Sequence, residues 1–469
     1  MKKSKIKSKT LIWAEKHFGT VDLYDKRRTK RLTNIASKLS ENKGSSLARL
    51  FDGWYDTKAT YNLLKLDVMT PDIIQSTHRE RTMESMQAWP NDVLAIEDSS
   101  ELEWNHNKKI EGLGPIGSGR KCDQGFILHS TLAVGVVNKG EDCFFKILGL
   151  PFQQYYVRPP KRKKRQKRSQ TYAPIETDLW REVINQKAIP ADRKIIRVCD
   201  RAADIYEVMQ ETREYGSSHI IRLKHNRKVV ETEEDIQVKS LMQQTPSFGE
   251  TSIQKRGREG TKKQTIILQL NWQKVTLKAP ARPGFYAGEL PGLEENVVHV
   301  WGTNPETKEL IEWFLYTDLA VDSLQDAIKI AKYYACRWII EDYHKAIKTG
   351  MRAEKLQLET AHALFAAIAI MSVVALRLVD LREALRINPD HAASESGLDD
   401  FELKILGAYL NRELKTVRCV ALAIGRLGGH QNRRGDGMPG LLTLWLGMSR
   451  FINILEGARL NEQLNEKFG

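Results

Sequence analysis

Two short apolar runs, each followed at once by acidic residues, constrain the fold more than any other feature of this sequence. Residues 93–96 read Val-Leu-Ala-Ile and lead into Glu97-Asp98, and residues 195–199 read Ile-Ile-Arg-Val-Cys and lead into Asp200. Continuous runs of this length are typical of buried strands in an α/β sheet. Catalytic groups collect at the carboxyl edge of such a sheet, so we expect Asp98 and Asp200 to lie together there. Taken singly, either aspartate is more typical of a helix cap or a turn.

The segment 331–348, AKYYACRWIIEDYHKAIK, predicts a helix because it contains no Gly or Pro. At about 100° per residue, one narrow stripe of this helix carries Tyr334, Arg337, Glu341 and Lys348, with Lys345 beside it. A solvated, salt-bridged face is the ordinary interpretation of such a stripe. The aromatic and aliphatic residues around it indicate a packed helix instead. A carboxylate among cations on a packed helix is typical of a site that binds phosphate and a hard cation.

The chain has 469 residues, a formal charge of +14 and a pI near 9.3. This length predicts two to four domains, roughly. The charge favours a polyanionic partner, nucleic acid before an anionic membrane, although many basic proteins bind neither.

Five scattered cysteines without a CxxC pair indicate a reducing compartment and no structural zinc site. The basic N-terminus has no following apolar core and is not a secretory signal. The longest apolar run, 361–376, is shorter than a membrane span and predicts a buried helix.

The rest of the chain divides into helical ends and a mixed centre. Residues 1–75 predict a small helical DNA-binding head in which Arg28 and Arg31 face outward, although an ordinary helical lobe with solvated cations fits as well. Residues 76–355 predict the α/β core, and an antiparallel β insertion interrupts it at about 226–310. Residues 356–469 predict a helical C-terminal domain. The basic run at 161–168 predicts an exposed loop or tether.

Two strand-end aspartates and one helix glutamate provide three hard oxygen donors. Such a set can hold two divalent ions that activate the attacking oxygen and stabilise the leaving oxygen of a phosphodiester. Magnesium suits these ligands, and manganese is the usual substitute.

These residues resemble the Asp-Asp-Glu (DDE) transposases of bacterial insertion sequences, in the branch called insertion-sequence family four. The resemblance covers nearly the whole chain and is strongest at Leu94-Ala-Ile-Glu-Asp98 and at Val198-Cys-Asp-Arg-Ala-Ala-Asp-Ile205. Its most specific part is Tyr334-x2-Arg337-x3-Glu341-x6-Lys348, the spacing of the family's Tyr-Arg-Glu-Lys signature.

The resemblance implies a ribonuclease H-like core in which Asp98, Asp200 and Glu341 bind two Mg²⁺ ions, or Mn²⁺ in their place, as the catalytic triad. It implies that Tyr334, Arg337, Lys345 and Lys348 hold phosphates of the transposon end. It also implies that Trp313 stacks on a base flipped out of a terminal DNA hairpin, with Arg222 and Lys224 lining the same pocket. The implied partners are double-stranded DNA at the inverted-repeat ends and in the target, and a second copy of the chain. The expected location is the bacterial cytoplasm, without a membrane.

Two other functions remain open at this point. A ribonuclease H-like nuclease would use the same carboxylates without strand transfer, but the Tyr-Arg-Glu-Lys face and the β insertion argue against it. A catalytically silent DNA-binding or inhibitory protein would not need all three carboxylates, which this chain retains.

Overall fold

The protein is a mixed α/β structure in which helices flank one large sheet. The computed structural model describes residues 8–41, 46–51, 53–104, 109–117, 123–140, 142–159, 176–185, 189–190, 192–230, 236–255, 264–280, 291–305, 307–433 and 436–468. The basic run at 161–168 lies outside these residues, as do several turn residues of the predicted insertion.

Ten strands form the sheet in the described part of the chain. They are β1 (Val93–Trp104), β2 (Gly114–Ile116), β3 (Asp123–Lys139), β4 (Asp142–Tyr156), β5 (Ile196–Cys199), β6 (Ser218–Arg222), β7 (Gly249–Lys255), β8 (Gln264–Leu277), β9 (Leu293–Thr303) and β10 (Leu310–Thr317). The spatial order is β2-β3-β1-β5-β6-β10-β9-β8-β7, and β4 pairs with β3. Strands β1, β5 and β6 are parallel, and the other pairs are antiparallel. The predicted α/β class is therefore confirmed in its general form.

The antiparallel insertion extends the central sheet. Strands β7, β8 and β9 pair in sequence, and β10 joins them to β6 through the pairs Leu315↔Arg222 and Thr317↔Ile220. The segment predicted to interrupt the core is thus hydrogen-bonded directly to it. This continuity places β10, which carries Trp313, next to the strand that carries Arg222.

Helices cover the sheet and form both ends of the chain. They are α1 (Lys9–Phe18), α2 (Lys26–Glu41), α3 (Trp54–Leu64), α4 (Pro71–Ile74), α5 (Ser76–Ala88), α6 (Leu179–Asn185), α7 (Tyr206–Glu214), α8 (Val238–Gln244), α9 (Leu324–Ala335), α10 (Trp338–Lys345), α11 (Ala361–Ile387), α12 (Asp400–Leu410), α13 (Val417–Leu427) and α14 (Leu441–Phe468). One apolar cluster runs from Phe18 and Ile35 of the N-terminal helices, through Leu364 of α11, to Phe126 of the sheet. The N-terminal helices thus share a core with the sheet, and the domain bounds at 75 and 355 stay a prediction.

Helix α11 is the central helix of the molecule. It spans 27 residues and so extends beyond the predicted apolar run 361–376, and the prediction of a buried helix is confirmed. By length and composition the stretch Ala361–Leu385 could cross a membrane, but 82% of its most apolar window is buried inside the protein. Charged residues beyond the apolar run are paired: Asp380 with Lys146, and Arg382 with Asp342 of α10. The helix continues because its charges have partners.

Candidate active site

Asp98 and Asp200 lie at the same level of the sheet. The parallel pairing of β1 with β5 runs from Leu94↔Ile196 to Glu97↔Cys199, and each aspartate is the next residue of its chain segment. The expectation that both follow the end of a strand was wrong for Asp98, because β1 continues to Trp104. Antiparallel pairing with β3 supports this extension as far as Trp104↔Gln124. The two carboxylates thus meet where the parallel pairing stops.

Asp200 also acts as a helix cap. Its Oδ1 accepts a hydrogen bond of 2.8 Å from the N–H of Ala202, at the start of the 3-10 turn Arg201–Ala203. The interpretation of Asp200 as a helix cap is therefore confirmed. Because a carboxylate has a second oxygen with free lone pairs, capping leaves Asp200 able to bind a cation as well.

Glu341 approaches these aspartates from α10. The predicted helix 331–348 is divided into α9 and α10 by a tight turn at Cys336 and Arg337, where N–H groups bond the carbonyl three residues back. After α10 the chain forms a π-helical turn, Ala346–Gly350. The tight turn keeps right-handed backbone angles. Arg337 and Glu341, four residues apart, therefore contact each other as they would on an unbroken helix.

Arg337 joins two of the three carboxylates. Its Nη1 lies 3.4 Å from Asp98 Oδ2, and its Nη2 lies 2.5 Å from Glu341 Oε1. Its Nε is buried and has no hydrogen-bond partner among the described residues. Burial lowers the pKa of Arg337, but Tyr334, Glu341 and Asp98 outweigh burial and raise it. The guanidinium is thus a permanent cation between Asp98 and Glu341, and its Nε–H donor has no partner among the described residues.

The Asp98 carboxyl has a perturbed pKa. Burial raises it, the charge of Arg337 lowers it, and the charges of Asp200 and Glu341 raise it again, to about 6. Its side chain is 17% exposed. Carboxylates that shift one another's pKa must lie close together. The three acidic residues therefore converge on one site, where burial is the main cause of the raised pKa of Asp98.

No group of three or more His, Cys, Asp or Glu side chains is arranged as a metal site within the described residues. Here Arg337 stands between Asp98 and Glu341. The residues nevertheless fit divalent cations in chemistry, because all three donors are carboxylate oxygens, the ligands that hard cations prefer. A hard cation would take the place of the guanidinium between Asp98 and Glu341.

Tyr334, Trp313 and Arg222 form one wall of the site. The Trp313 ring lies 5.2 Å from the Tyr334 ring in an edge-to-face contact and is only 8% exposed. Arg222 donates to the Glu312 carbonyl at 2.9 Å. Burial lowers the pKa of Arg222, Tyr334 raises it, and the cations Arg201 and Arg337 lower it further. An arginine surrounded by like charges is suited to an anionic ligand.

A cavity of about 130 Å³ opens beside this wall. Its lining residues are Arg201, Arg222, Leu223, Lys224, Lys239, Glu312 and Phe314. The four cations in that set face a single carboxylate, so the cavity favours an anion.

The remaining lysines of the stripe point in different directions. Lys345 is exposed. Lys348 donates to the Glu101 carbonyl at 2.8 Å and pairs with Glu354 at 3.3 Å. Only Lys348 is therefore already held against the sheet.

The two arginines predicted to face DNA from the head make intramolecular contacts. Arg28 Nη1 donates to the Leu23 carbonyl at 3.3 Å, and Arg31 pairs with Asp56 at 3.0 Å. Both are partly exposed, and neither is a freely solvated cation.

Sequence reasoning missed a buried ion pair beneath the two aspartates. Arg197 of β5 makes two contacts of 2.6 Å with Glu97 of β1, and both side chains are buried. Arg197 also donates to Thr212 and to the Trp180 carbonyl. The sequence did offer a signal for this pair: Glu97 directly follows one apolar run, Arg197 lies within the other, and the two charges are opposite in sign.

Two family models match the chain, and together they cover more than half of it. One, described as Transposase DNA-binding, matches residues 12–68. The other, described as Transposase DDE domain, matches residues 155–377 and includes Asp200 and Glu341. Among solved structures, the chain is similar to a piggyBac transposase in a synaptic complex with hairpin DNA, at 8% identity and a TM-score of 0.34. That similarity covers 97% of this chain and 74% of the other, and a TM-score this low does not establish a shared fold.

Proposed function

We propose that this chain, which is a DDE transposase and so a metal-dependent enzyme that cleaves and joins DNA strands, moves an insertion sequence by cut-and-paste transposition. The observation that supports this most is the convergence of Asp98, Asp200 and Glu341 around Arg337. The finer assignment, to insertion-sequence family four with a ribonuclease H-like core, rests on the Tyr-Arg-Glu-Lys spacing.

In this proposal Asp98, Asp200 and Glu341 hold two Mg²⁺ ions, for which Mn²⁺ can substitute. When bound, such ions make an attacking oxygen more nucleophilic and stabilise the charge on the leaving oxygen.

Arg337 has two roles in the proposal. Without DNA it neutralises Asp98 and Glu341 through its Nη atoms. When cations occupy the carboxylates, the guanidinium is released toward the scissile phosphate, which its unpaired Nε can also contact. Lys348, Lys345 and Tyr334 would bind neighbouring phosphates and orient the bond for in-line attack.

The cationic cavity would receive the displaced nucleotide of the transposon end. Arg222 and Lys224 line it, so they would bind the nucleotide's phosphate. Trp313 does not line this cavity, so the prediction that it shares a pocket with Arg222 and Lys224 was wrong: Glu312 and Phe314 face the cavity, and Trp313 packs in a different core cluster from Phe314. Trp313 would stack on a base only beside Tyr334, which would have to shift because the two rings are in contact.

The proposed reaction is a series of phosphodiester exchanges. Water attacks a phosphorus at the transposon end, and the departing 3′ oxygen leaves as a hydroxyl. That hydroxyl attacks the opposite strand to form a hairpin, water reopens the hairpin, and the same hydroxyl then attacks target DNA. Each step forms one phosphorus–oxygen bond and breaks one, so a single site can perform them all.

The ends of the chain would supply recognition and assembly. The N-terminal head, which includes Arg28 and Arg31, would bind the inverted-repeat ends. The C-terminal helices would pair two copies of the chain around two ends, in the bacterial cytoplasm.

Substituting the carboxylates with their amides tests this function. We expect Asp200→Asn and Glu341→Gln to lower metal-dependent nicking of a duplex that carries one end of the element by roughly 10³-fold. Binding of that duplex should change little, because the head and the cations are intact. Nicking is measured on denaturing gels and binding by fluorescence anisotropy.

The exposed carboxylate of Asp322, in Asp322→Asn, is a control expected to retain full nicking. Nicking retained by either site variant would remove that residue from the triad. Nicking by the wild-type protein without transfer of the end into a plasmid would identify a nuclease and contradict transposition.

A further inference from the structure

The three most exposed large apolar side chains in the described structure lie close together in the sequence. Tyr24 is 81% exposed, Trp54 77% and Tyr55 78%, and no other large apolar residue described exceeds 63%. All three fall within residues 12–68, the part that matches the DNA-binding family model. Single exposed aromatics are ordinary, but three within one small module indicate a surface that contacts another molecule.

The backbone of Tyr24 supports this interpretation. Tyr24 has a φ of 60°, a left-handed conformation that glycine adopts freely and tyrosine only with strain. Its N–H donates to the Asp22 carboxylate at 2.9 Å, which holds the turn. Because its ring is exposed, packing within the protein does not offset the strain. We therefore infer that the tyrosine at this position contacts another molecule.

The ion pair between Arg31 and Asp56 brings these residues onto neighbouring elements. It fastens the first two turns of α2, which Tyr24 precedes, to the first turn of α3, which begins with Trp54 and Tyr55. Gly53 at the start of α3 supplies no side-chain cap, so the amide groups of that first turn have no side-chain partner at their N-cap. Trp54 and Tyr55 thus lie in the first turn of a helix, an end that favours negative charge, and Tyr24 precedes the helix that this ion pair joins to it.

The charges around the rings select the kind of partner. Lys26, Lys30 and Lys58 are exposed on α2 and α3. The nearby carboxylates of Asp25 and Asp56 are already paired with Arg27 and Arg31. An apolar protein surface would leave these cations without partners, whereas DNA offers phosphates to the cations and flat bases or sugars to the rings.

We propose that Tyr24, Trp54 and Tyr55 form an aromatic surface that stacks on nucleotides of the element's end while the surrounding cations bind its phosphates. This inference deepens the proposed function and rests on it. It assigns the non-electrostatic part of end binding to these three rings.

The test measures affinity of the full chain for two fluorescent duplexes, one with the DNA at the edge of the element and one with that sequence scrambled. We expect Trp54→Ala, Tyr55→Ala and Tyr24→Gly each to bind the end duplex roughly 5- to 150-fold more weakly. Tyr409→Ala, an equally bulky exposed tyrosine on α12, is the matched control and should bind like the wild type.

Salt dependence separates stacking from charge. The aromatic variants should keep the wild-type slope of log K against log salt, whereas Lys58→Gln should reduce that slope by about one phosphate contact. Tyr24→Gly should melt at or above the wild-type temperature because glycine relieves the left-handed strain. A loss of affinity in this variant therefore cannot be attributed to unfolding.

Aromatic variants that bind the end duplex within twofold of the wild type would overturn the aromatic surface. A Tyr24→Gly variant with raised stability and unchanged affinity would overturn the role of Tyr24. A wild-type protein that binds the end duplex no better than the scrambled one would instead contradict the proposed function, so the two failures are distinguishable.

Discussion

Asp98→Asn is expected to abolish nicking and, in the absence of metal, to make the protein more stable. Folding raises the pKa of the Asp98 carboxyl from 3.8 to about 6. A shift of this size means that the ionised form costs about 3 kcal/mol in the folded state relative to the unfolded one. Asparagine has nearly the same shape without the charge. The variant should therefore gain about 3 kcal/mol of unfolding free energy at pH 8 in EDTA.

The sign of the pH dependence follows from the direction of that shift. A carboxyl with a raised pKa stabilises the fold most when protonated, so this contribution is present below pH 3.8 and is lost as the pH rises through about 6. The gain from Asp98→Asn should accordingly be large at pH 8 and small at pH 4. Urea denaturation at the two pH values measures it, and equal gains would contradict the burial of an ionised Asp98 carboxylate in this site.

Asp204→Asn is the matched control for this experiment. Asp204 is also buried and lies four residues after Asp200, but it accepts hydrogen bonds from the N–H groups of Lys224 and His225 and pairs with Arg227. All of these partners stabilise the ionised carboxylate of Asp204, so the same substitution should lower the unfolding free energy by about 3 kcal/mol. If Asp98→Asn raises the unfolding free energy and Asp204→Asn lowers it, the Asp98 carboxylate costs stability, as expected of a residue that serves activity.

Breaking the ion pair between Glu97 and Arg197 is expected to be strongly destabilising. Both side chains are buried, and Arg197 has four hydrogen bonds to Glu97, Thr212 and Trp180. Arg197→Met leaves the Glu97 carboxylate buried without its cation. The loss should be about 3 to 5 kcal/mol of unfolding free energy, measured by urea denaturation.

The double variant Glu97→Met/Arg197→Met separates stability from position. Because it removes both charges, its unfolding free energy should return to within about 1 kcal/mol of the wild type. The pair lies one residue before Asp98 and three before Asp200, so we expect the Mg²⁺ concentration for half-maximal nicking to rise about 10- to 100-fold. A double variant with wild-type metal dependence would show that the pair stabilises the sheet without positioning the carboxylates.

The sequence predicted the parts of the fold that depend on local pattern. The apolar run before Asp200 is β5, and the alternation near residue 270 is part of β8. The length of β1 could not be read from its apolar run, because its second half is held by pairing with β3 and shows only the short alternation of residues 101–104. The length of α11 could not be read either, because its apolar run ends in the sequence and the charged residues beyond it find their partners only in the folded protein.

The site was predictable in composition but not in its internal arrangement. Arg337 and Glu341 are four residues apart, the spacing of side chains that contact each other on a helix, and the structure has that contact. The tight turn at Cys336 had no Gly or Pro in the sequence to indicate it. Nor could spacing show that Arg337 also reaches Asp98, a contact between residues 239 positions apart. Through that second contact the guanidinium pairs with two of the three carboxylates.

Anomalous diffraction from crystals of the full chain with an end duplex and Mn²⁺ tests the central claim most directly. We expect manganese peaks in contact with the carboxylates of Asp98, Asp200 and Glu341, and Arg337 turned from these carboxylates toward a DNA phosphate. Manganese bound away from any of the three carboxylates, or absent while Arg337 still pairs with Asp98 and Glu341, would contradict the account.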